Sequence, residues 1–233
     1  ALSPEGVMVL AEEHSPAFAA GGFCGLPQQF AVLERLPEAF RTGLGLPYDA
    51  FGLEGNRGVE RTFAPWFRAM LVPVALPALD GVVAKLEAGA RVADVGCGAG
   101  VALIEMAKAF PRSELHGYEI SKYALQRAAE NLRESGVENV VFHDANDDVL
   151  PQDGRFDLIT TFDCLHDMAH PAPVIAAIRR AITPDGTWLI ADIKSHPTFE
   201  ETLARNPMAA MMYGFSVLSC MSSALSEPGG AGL

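Results

Sequence analysis

Residues 91 to 100, Arg-Val-Ala-Asp-Val-Gly-Cys-Gly-Ala-Gly, hold the densest set of groups able to grip a small ligand. An apolar run carrying one acid, Asp94, leads into a bend with glycines at 96, 98 and 100 around Cys97. The segment Val101 to Phe110 then reads as a helix. Glycines at alternate positions let the backbone turn sharply and meet a ligand at van der Waals distance, because no Cβ intervenes. The N–H groups opening the next helix face the same crevice. In open parallel sheets, ligands sit beyond the carboxyl ends of the strands, at such a point.

Asp94 separates the candidate ligands. A carboxylate two residues before the first glycine repels a pyrophosphate and favours the cationic amino group of an amino acid. A nucleoside with an amino-acid tail, as in S-adenosyl-L-methionine, fits that combination. The competing reading is a dinucleotide fingerprint, which wants its third glycine at position 101, where the chain has Val101, and no acid in the place of Asp94.

Further groups fall in series behind the bend. Glu119, with Ile120 beside it, closes the next strand about 20 residues on, where nucleoside-binding folds set an acid against ribose hydroxyls. The plain alternative is a solvated strand end. Asp144 follows a third strand and can accept from an exocyclic adenine amine while Ala145 leaves room for the ring. Asp147 and Asp148 make that stretch equally a solvated acidic turn. A fourth strand, Phe156 to Phe162, runs into Asp163-Cys164-Leu165-His166-Asp167-Met168. Phe162 and Asp163 then line the floor of the crevice. His166 is either a general base or a hydrogen-bonded structural histidine. Tyr48 caps the pocket or fills the core of its own loop. Met208, Met211, Met212 and Met221 form a stripe that reads as packing or as a substrate wall, with Met212 the candidate substrate contact.

These groups need strands to converge on one rim. Strands are expected at Arg91–Gly96, Leu115–Ile120, Val140–His143, Phe156–Phe162 and Thr187–Ile193. Helices are expected between them at Gly100–Phe110, Ser121–Ser135 with Ser121 as N-cap and Gly136 beyond its end, and Pro171–Ile182. Alternation of this kind indicates an α/β, doubly wound, mostly parallel sheet. Residues 1–88 read as a helical lead-in, with a helical pattern over Pro4–His14 and a helix over Gln28–Thr42 closed by Gly43 and Gly45. An ordered loop over Leu44–Gly58 follows, then a long stretch to Glu87 broken near Pro65, Pro73 and Pro77. The ligand-binding unit spans 89–195, and a Met-rich helical segment fills 196–233.

The chain resembles class I S-adenosylmethionine-dependent methyltransferases over roughly residues 89 to 195. Asp94 to Gly100 matches the first motif of that family, Glu119 its ribose-binding acid and Asp144 the acid beside the adenine. Phe156 to Leu165 matches the fourth motif, and Pro184-Asp185-Gly186-Thr187 the turn before strand five. The Asp163–Met168 run, Pro47-Tyr48 and the Leu225–Gly230 stretch resemble a bacterial subgroup with an N-terminal winged-helix segment and a C-terminal strand pair. That resemblance implies a Rossmann-like sheet of order 3-2-1-4-5, lacking the last two of the usual seven strands. It also implies residues 1–20 as the tail of the winged helix, in a chain whose ends both read as cut from something longer. It further implies S-adenosyl-L-methionine as cofactor, with S-adenosyl-L-homocysteine as product.

Composition narrows the partners. Seventeen Lys and Arg stand against 29 Asp and Glu, a net charge of −12. So acidic a chain repels a phosphate backbone, and Arg179-Arg180 is the only adjacent basic pair, so no nucleic-acid contact is expected. Four scattered cysteines without a CxxC pair argue against zinc and for reduced thiols, hence no metal. The longest apolar run, Ala69–Leu79, is broken by two prolines and falls short of the roughly 20 residues a membrane helix needs. No leader-like opening is present, so a cytoplasmic protein is expected, and the apolar N-terminal region leaves room for a homodimer. The expected function is methyl transfer to a small-molecule acceptor. Its rivals are a cofactor-binding regulator without methyl transfer and an NAD-dependent oxidoreductase.

Overall fold

Proline and glycine divide the lead-in into short helices in the computed structural model, which describes residues 1–232. They are α1 (Pro4–Leu10), α2 (Gly21–Cys24), α3 (Leu26–Ala31), α4 (Leu36–Thr42), α5 (Gly52–Trp66) and α6 (Val82–Ala88). The single helix expected over Gln28–Thr42 is interrupted by a 3-10 turn at Leu33–Arg35, just before Pro37. Proline lacks an N–H and disfavours helical backbone at the residue before it. Gly43 does end α4, in the left-handed region at φ 73°.

The loop expected over Leu44–Gly58 is helical from Gly52 onward. Gly52 turns the chain at φ 63°, while Gly55 and Gly58 serve packing. A Cβ on Gly58 would stand 2.8 Å from the Gly25 nitrogen, so α5 lies directly on the α2–α3 backbone. Beyond Trp66 the chain widens into a π-helical segment, Phe67–Ala75, and a 3-10 turn, Leu76–Ala78. Pro65, Pro73 and Pro77 lie in this stretch, where the break was expected. No single helix among the described residues is long and apolar enough to cross a membrane.

Five strands follow, β1 (Arg91–Val95), β2 (Glu114–Glu119), β3 (Val140–Asp144), β4 (Phe156–Phe162) and β5 (Ile182–Ala191). They pair in parallel in the order β3-β2-β1-β4-β5, as the alternation implied. The crossovers are α7 (Val101–Ala109), α8 (Lys122–Ser135) and α9 (Pro171–Ala181). Ser121 caps α8 by accepting the Ala124 N–H at 3.2 Å, and Gly136 closes it at φ 70°. Successive strand residues face opposite layers. Val92 and Leu158 pack with Leu71, Leu86 and Leu103 in one, while Ala93 and Ile159 pack with Phe156 and Ile178 in the other.

β5 begins five residues earlier than expected. Ile182 pairs with Phe156 and Thr187 with Leu158, so the expected turn at Pro184–Gly186 is a bulge within the strand. A bulge tolerates a proline, which has no N–H to give the ladder. Helices α10 (Phe199–Arg205), α11 (Ala209–Leu218) and α12 (Cys220–Ala224) fill the Met-rich region; the last residue of the 196–233 segment lies outside the described residues. Ser222 Oγ accepts the Leu46 N–H at 2.9 Å, and the Leu225 carbonyl accepts the Gly45 N–H at 2.9 Å. The lead-in and the C-terminal helices thus clasp each other.

Candidate active site

The carboxyl ends of β1, β2 and β4 bring the acids together. In β1, Asp94 is paired between Gly117 of β2 and Thr160 of β4, with 1% of its surface exposed. Thr160 Oγ1 donates to its Oδ1 at 2.7 Å. Burial pushes the Asp94 pKa up to about 7 against the Thr160 hydrogen bond, and the neighbouring Glu119 pushes the same way. A cation placed beside Asp94 would restore its charge.

The three glycines of the bend differ in their work. All have positive φ, at 74°, 54° and 73° for Gly96, Gly98 and Gly100. A Cβ on Gly96 would lie 2.8 Å from Cys164 Sγ, and one on Gly100 would overlap the Phe142 ring. One on Gly98 would meet nothing within 4 Å. Gly98 therefore faces open space, while the other two let Cys164, just beyond β4, and Phe142 of β3 close in. Cys97 is buried with its sulfur against Gly117, so only its backbone is available to a ligand.

Glu119 is fastened to this bend. Its Oε2 accepts the Gly98 N–H at 2.9 Å, and its Oε1 accepts those of Ile120 and Ser121, both at 2.8 Å. Burial raises its pKa while these three N–H groups lower it, with the net shift upward. Each carboxylate oxygen has two acceptor sites, so Oε2 keeps one for a further donor such as a hydroxyl. Ile120 is 61% exposed beside it, an apolar surface of the kind on which a purine ring stacks. Ala145 donates its N–H to the Glu119 carbonyl at 2.9 Å. Asp144 is exposed and accepts from Asn146 N–H and Nδ2 at 3.0 and 2.7 Å, so its carboxylate caps its own turn.

The run after β4 is sharply bent. Asp163 has φ 52°, the only positive value on a non-glycine among the described residues. Cys164 folds back and donates to the Val95 carbonyl at 3.2 Å. The Phe162 ring, expected on the crevice floor, packs against Phe67 at 5.1 Å and Trp66 at 6.0 Å, so its side chain is committed to the lead-in.

His166 meets a partner that the sequence reading missed. Its Nδ1 lies 2.6 Å from Asp192 Oδ1, while Nε2 is shielded from solvent without a hydrogen bond. Burial lowers its pKa, but Cys220, Asp192 and Asp163 outweigh burial and carry it up to about 10. Asp167 is driven the other way for an acid, up to about 7, chiefly by burial and despite His166. Donor atoms of Asp163, His166 and Asp192 lie within 4.8 Å of one another, a spacing that could encircle a cation; the imidazole–carboxylate bond uses two of them.

Tyr48 reaches this rim. Burial raises its hydroxyl well above the usual range, with Glu119, Asp167, Cys220 and Asp163 adding to the shift. Its neighbour Asp49 accepts the Ser121 hydroxyl at 2.5 Å. Met212 interacts within its own helical region, its sulfur accepting Asn206 Nδ2 at 3.2 Å. Thr160 and Asp192 were legible as strand-end polar residues; Cys220 carried no sequence signal.

A family model described as a methyltransferase domain matches residues 86–225. Ubiquinone biosynthesis O-methyltransferase of Methylococcus capsulatus is 36% identical over 102 residues, 43% of this chain and 42% of that protein. Methyltransferase GfsG of Streptomyces halstedii is 30% identical over 140 residues, 59% and 48% of the two chains. The chain spans about half the length of the curated relatives it matches. A solved O-methyltransferase family protein from Burkholderia thailandensis superposes with a TM-score of 0.64 at 17% identity, over 91% of this chain and 62% of that one, a likeness of fold. With a Rossmann-like sheet, an acid rim around an open glycine, and a family match over more than half its length, the chain belongs to the methyltransferase domain family.

Proposed function

We propose that this chain is an S-adenosyl-L-methionine-dependent methyltransferase acting on a small-molecule acceptor and releasing S-adenosyl-L-homocysteine. The observation that carries the reading is Asp94, a carboxyl buried at the end of β1 and set beside Glu119 and the open face of Gly98. A site of this kind suits a ligand bearing an ammonium and a sulfonium, and disfavours a diphosphate.

When bound, the cofactor supplies an electrophilic methyl group on sulfur. Asp94 would hold its cationic amino group, the open face of Gly98 would admit its amino-acid portion, and Glu119 would offer its remaining acceptor site to a ribose hydroxyl. Ile120 and Ala145 would flank the adenine. The Tyr48 turn and the clasp between residues 45–46 and α12 exclude water.

The Methylococcus relative is named as an O-methyltransferase, which supports a hydroxyl acceptor. The Asp192–His166 pair would then serve as the acceptor's base: Asp192 orients the ring through Nδ1, which leaves the shielded Nε2 as the nitrogen that would accept the hydroxyl proton once an acceptor is seated against it. The four unpaired cysteines agree with a reducing, cytoplasmic setting.

Titration calorimetry with S-adenosyl-L-homocysteine tests the proposal directly. One-to-one binding by the parent, at least tenfold weaker in Asp94→Ala, is expected. Absence of binding to the parent overturns the reading. Binding without turnover on a panel of hydroxylated acceptors favours the regulatory alternative.

A further inference from the structure

We propose a second ligand site, specific for a small dianionic oxyanion such as a phosphate monoester, in a cavity of about 260 Å³ beside α5 and α8. This inference is independent of the cofactor reading. Four arginines line the cavity, Arg57 and Arg61 on α5, Arg68 in the π-helical segment and Arg127 on α8, in a chain with only 17 basic residues against 29 acidic. Two acids, Glu13 and Glu60, share the lining, and Glu54 and Glu130 pair with Arg57 and Arg127, so Arg68 is the lining arginine without an ion pair among the described residues; displacing the exposed Glu13 and Glu54 side chains would free Arg61 and Arg57 to join it. None of these arginines adjoins another along the chain, so the sequence shows no basic cluster here.

The floor of the cavity is rigid. Arg127 donates through Nε and Nη2 to the two oxygens of Glu60 at 2.8 and 3.0 Å, and through Nη2 to Asn131 Oδ1 at 2.9 Å. Asn131 is anchored in turn, donating to Glu60 at 2.9 Å and to the Ala99 carbonyl at 3.0 Å. Arg127 Nη1 also pairs with Glu130, so its guanidinium is held by the protein and forms a fixed floor, and the ligand would be met by the arginines of the walls.

The walls carry the exchangeable cations. Arg61 lies 5.8 Å from the Phe18 ring centroid, donates to Cys24 Sγ at 2.8 Å and pairs with the exposed Glu13. Arg57 pairs with the exposed Glu54 on the rim. Exposed pairs of this type contribute little to stability, so an oxyanion with bidentate geometry can replace them at small cost. Arg68 is exposed and enters no ion pair among the described residues. Phe18, Ala64 and Pro65 are buried and give the cavity an apolar side. That combination suits a phosphate carried on a carbon group. A cavity of this size is too small for the backbone of a nucleic acid, which needs an extended basic track.

Phenyl phosphate is the probe, titrated into the full chain by calorimetry at low ionic strength and followed by backbone amide shifts. Saturable one-to-one binding is expected, with shifts centred on α5 and α8. Arg68→Gln, an exposed substitution that leaves the fold intact, should weaken it about tenfold, as should Arg61→Gln. Lack of saturation up to roughly 10 mM overturns the proposal. So does equal affinity in Arg68→Gln and Arg61→Gln, or amide shifts confined to other surfaces.

Discussion

The Glu119 carboxylate holds the Gly98 N–H at 2.9 Å, so the acid that ends β2 and the open tip of the glycine bend form one unit. The same carboxylate fastens the start of α8 through Ser121. Glu119→Gln keeps an acceptor and should retain the fold, but loses charge and one acceptor oxygen. S-adenosyl-L-homocysteine affinity should fall about tenfold in Gln and further in Ala, in line with a loss of charged hydrogen bonds. Thermal unfolding should separate the roles: a large Tm drop in Ala with intact affinity would assign Glu119 to scaffolding alone.

Gly98 and Gly100 should respond differently to the same substitution. A methyl on Gly100 meets the Phe142 ring at a backbone φ of 73°, so Gly100→Ala should destabilise the protein by about 1–3 kcal/mol. Gly98→Ala meets open space and should cost only the left-handed backbone, roughly 1–2 kcal/mol. Its main effect should be on ligand affinity. Denaturant melts and calorimetry on both variants provide the check.

Asp94 sets a pH dependence whose sign is defined. Its carboxyl titrates near 3.8 when unperturbed and about 7 in the fold. Between these values the native state holds a proton that the unfolded state has lost, so its contribution to stability declines as pH rises through the window. An ammonium beside Asp94 reverses the preference and expels the proton. S-adenosyl-L-homocysteine should therefore bind more tightly as pH rises from 5.5 to 7.5, with proton release visible in buffers of different ionisation enthalpy. Asp94→Asn should remove both effects; a release unchanged in Asn would assign the proton elsewhere.

His166 gives a separate pH signature. With its pKa at about 10, the imidazolium predominates at neutrality. Its contribution to stability is complete below about 6.5, the ordinary histidine value, and declines as pH rises through 10. If it is the acceptor's base, kcat/KM should climb tenfold per pH unit from 7 toward that value. His166→Asn should flatten the slope, and Asp192→Asn should shift it to lower pH. An unchanged profile in His166→Asn would leave the histidine a purely structural role.

Much of the sheet was readable because its signals are local. Ser121 before a periodic stretch, Gly136 after it and the apolar run of β4 each act within a few residues. The reading failed where distant contacts decide conformation. Gly52–Gly58 looks like a loop by composition, yet it is helical because Gly58 is pressed against Gly25. Pro184 looks like the start of a turn, but pairing with β4 on both sides makes it a bulge.

At the site, the strand-end rule put Asp94, Glu119 and the glycine bend on one rim from sequence alone, since parallel strands share a direction. Chain order could not say which glycine faces open space, that Phe162 turns toward Trp66, or that His166 meets Asp192. Nor could it gather Arg57, Arg61, Arg68 and Arg127 around one cavity. Residue type and period determine which elements form and which end carries the polar groups. Orientation and partnership depend on how β4, β5, α5 and α8 pack, which only the folded chain specifies.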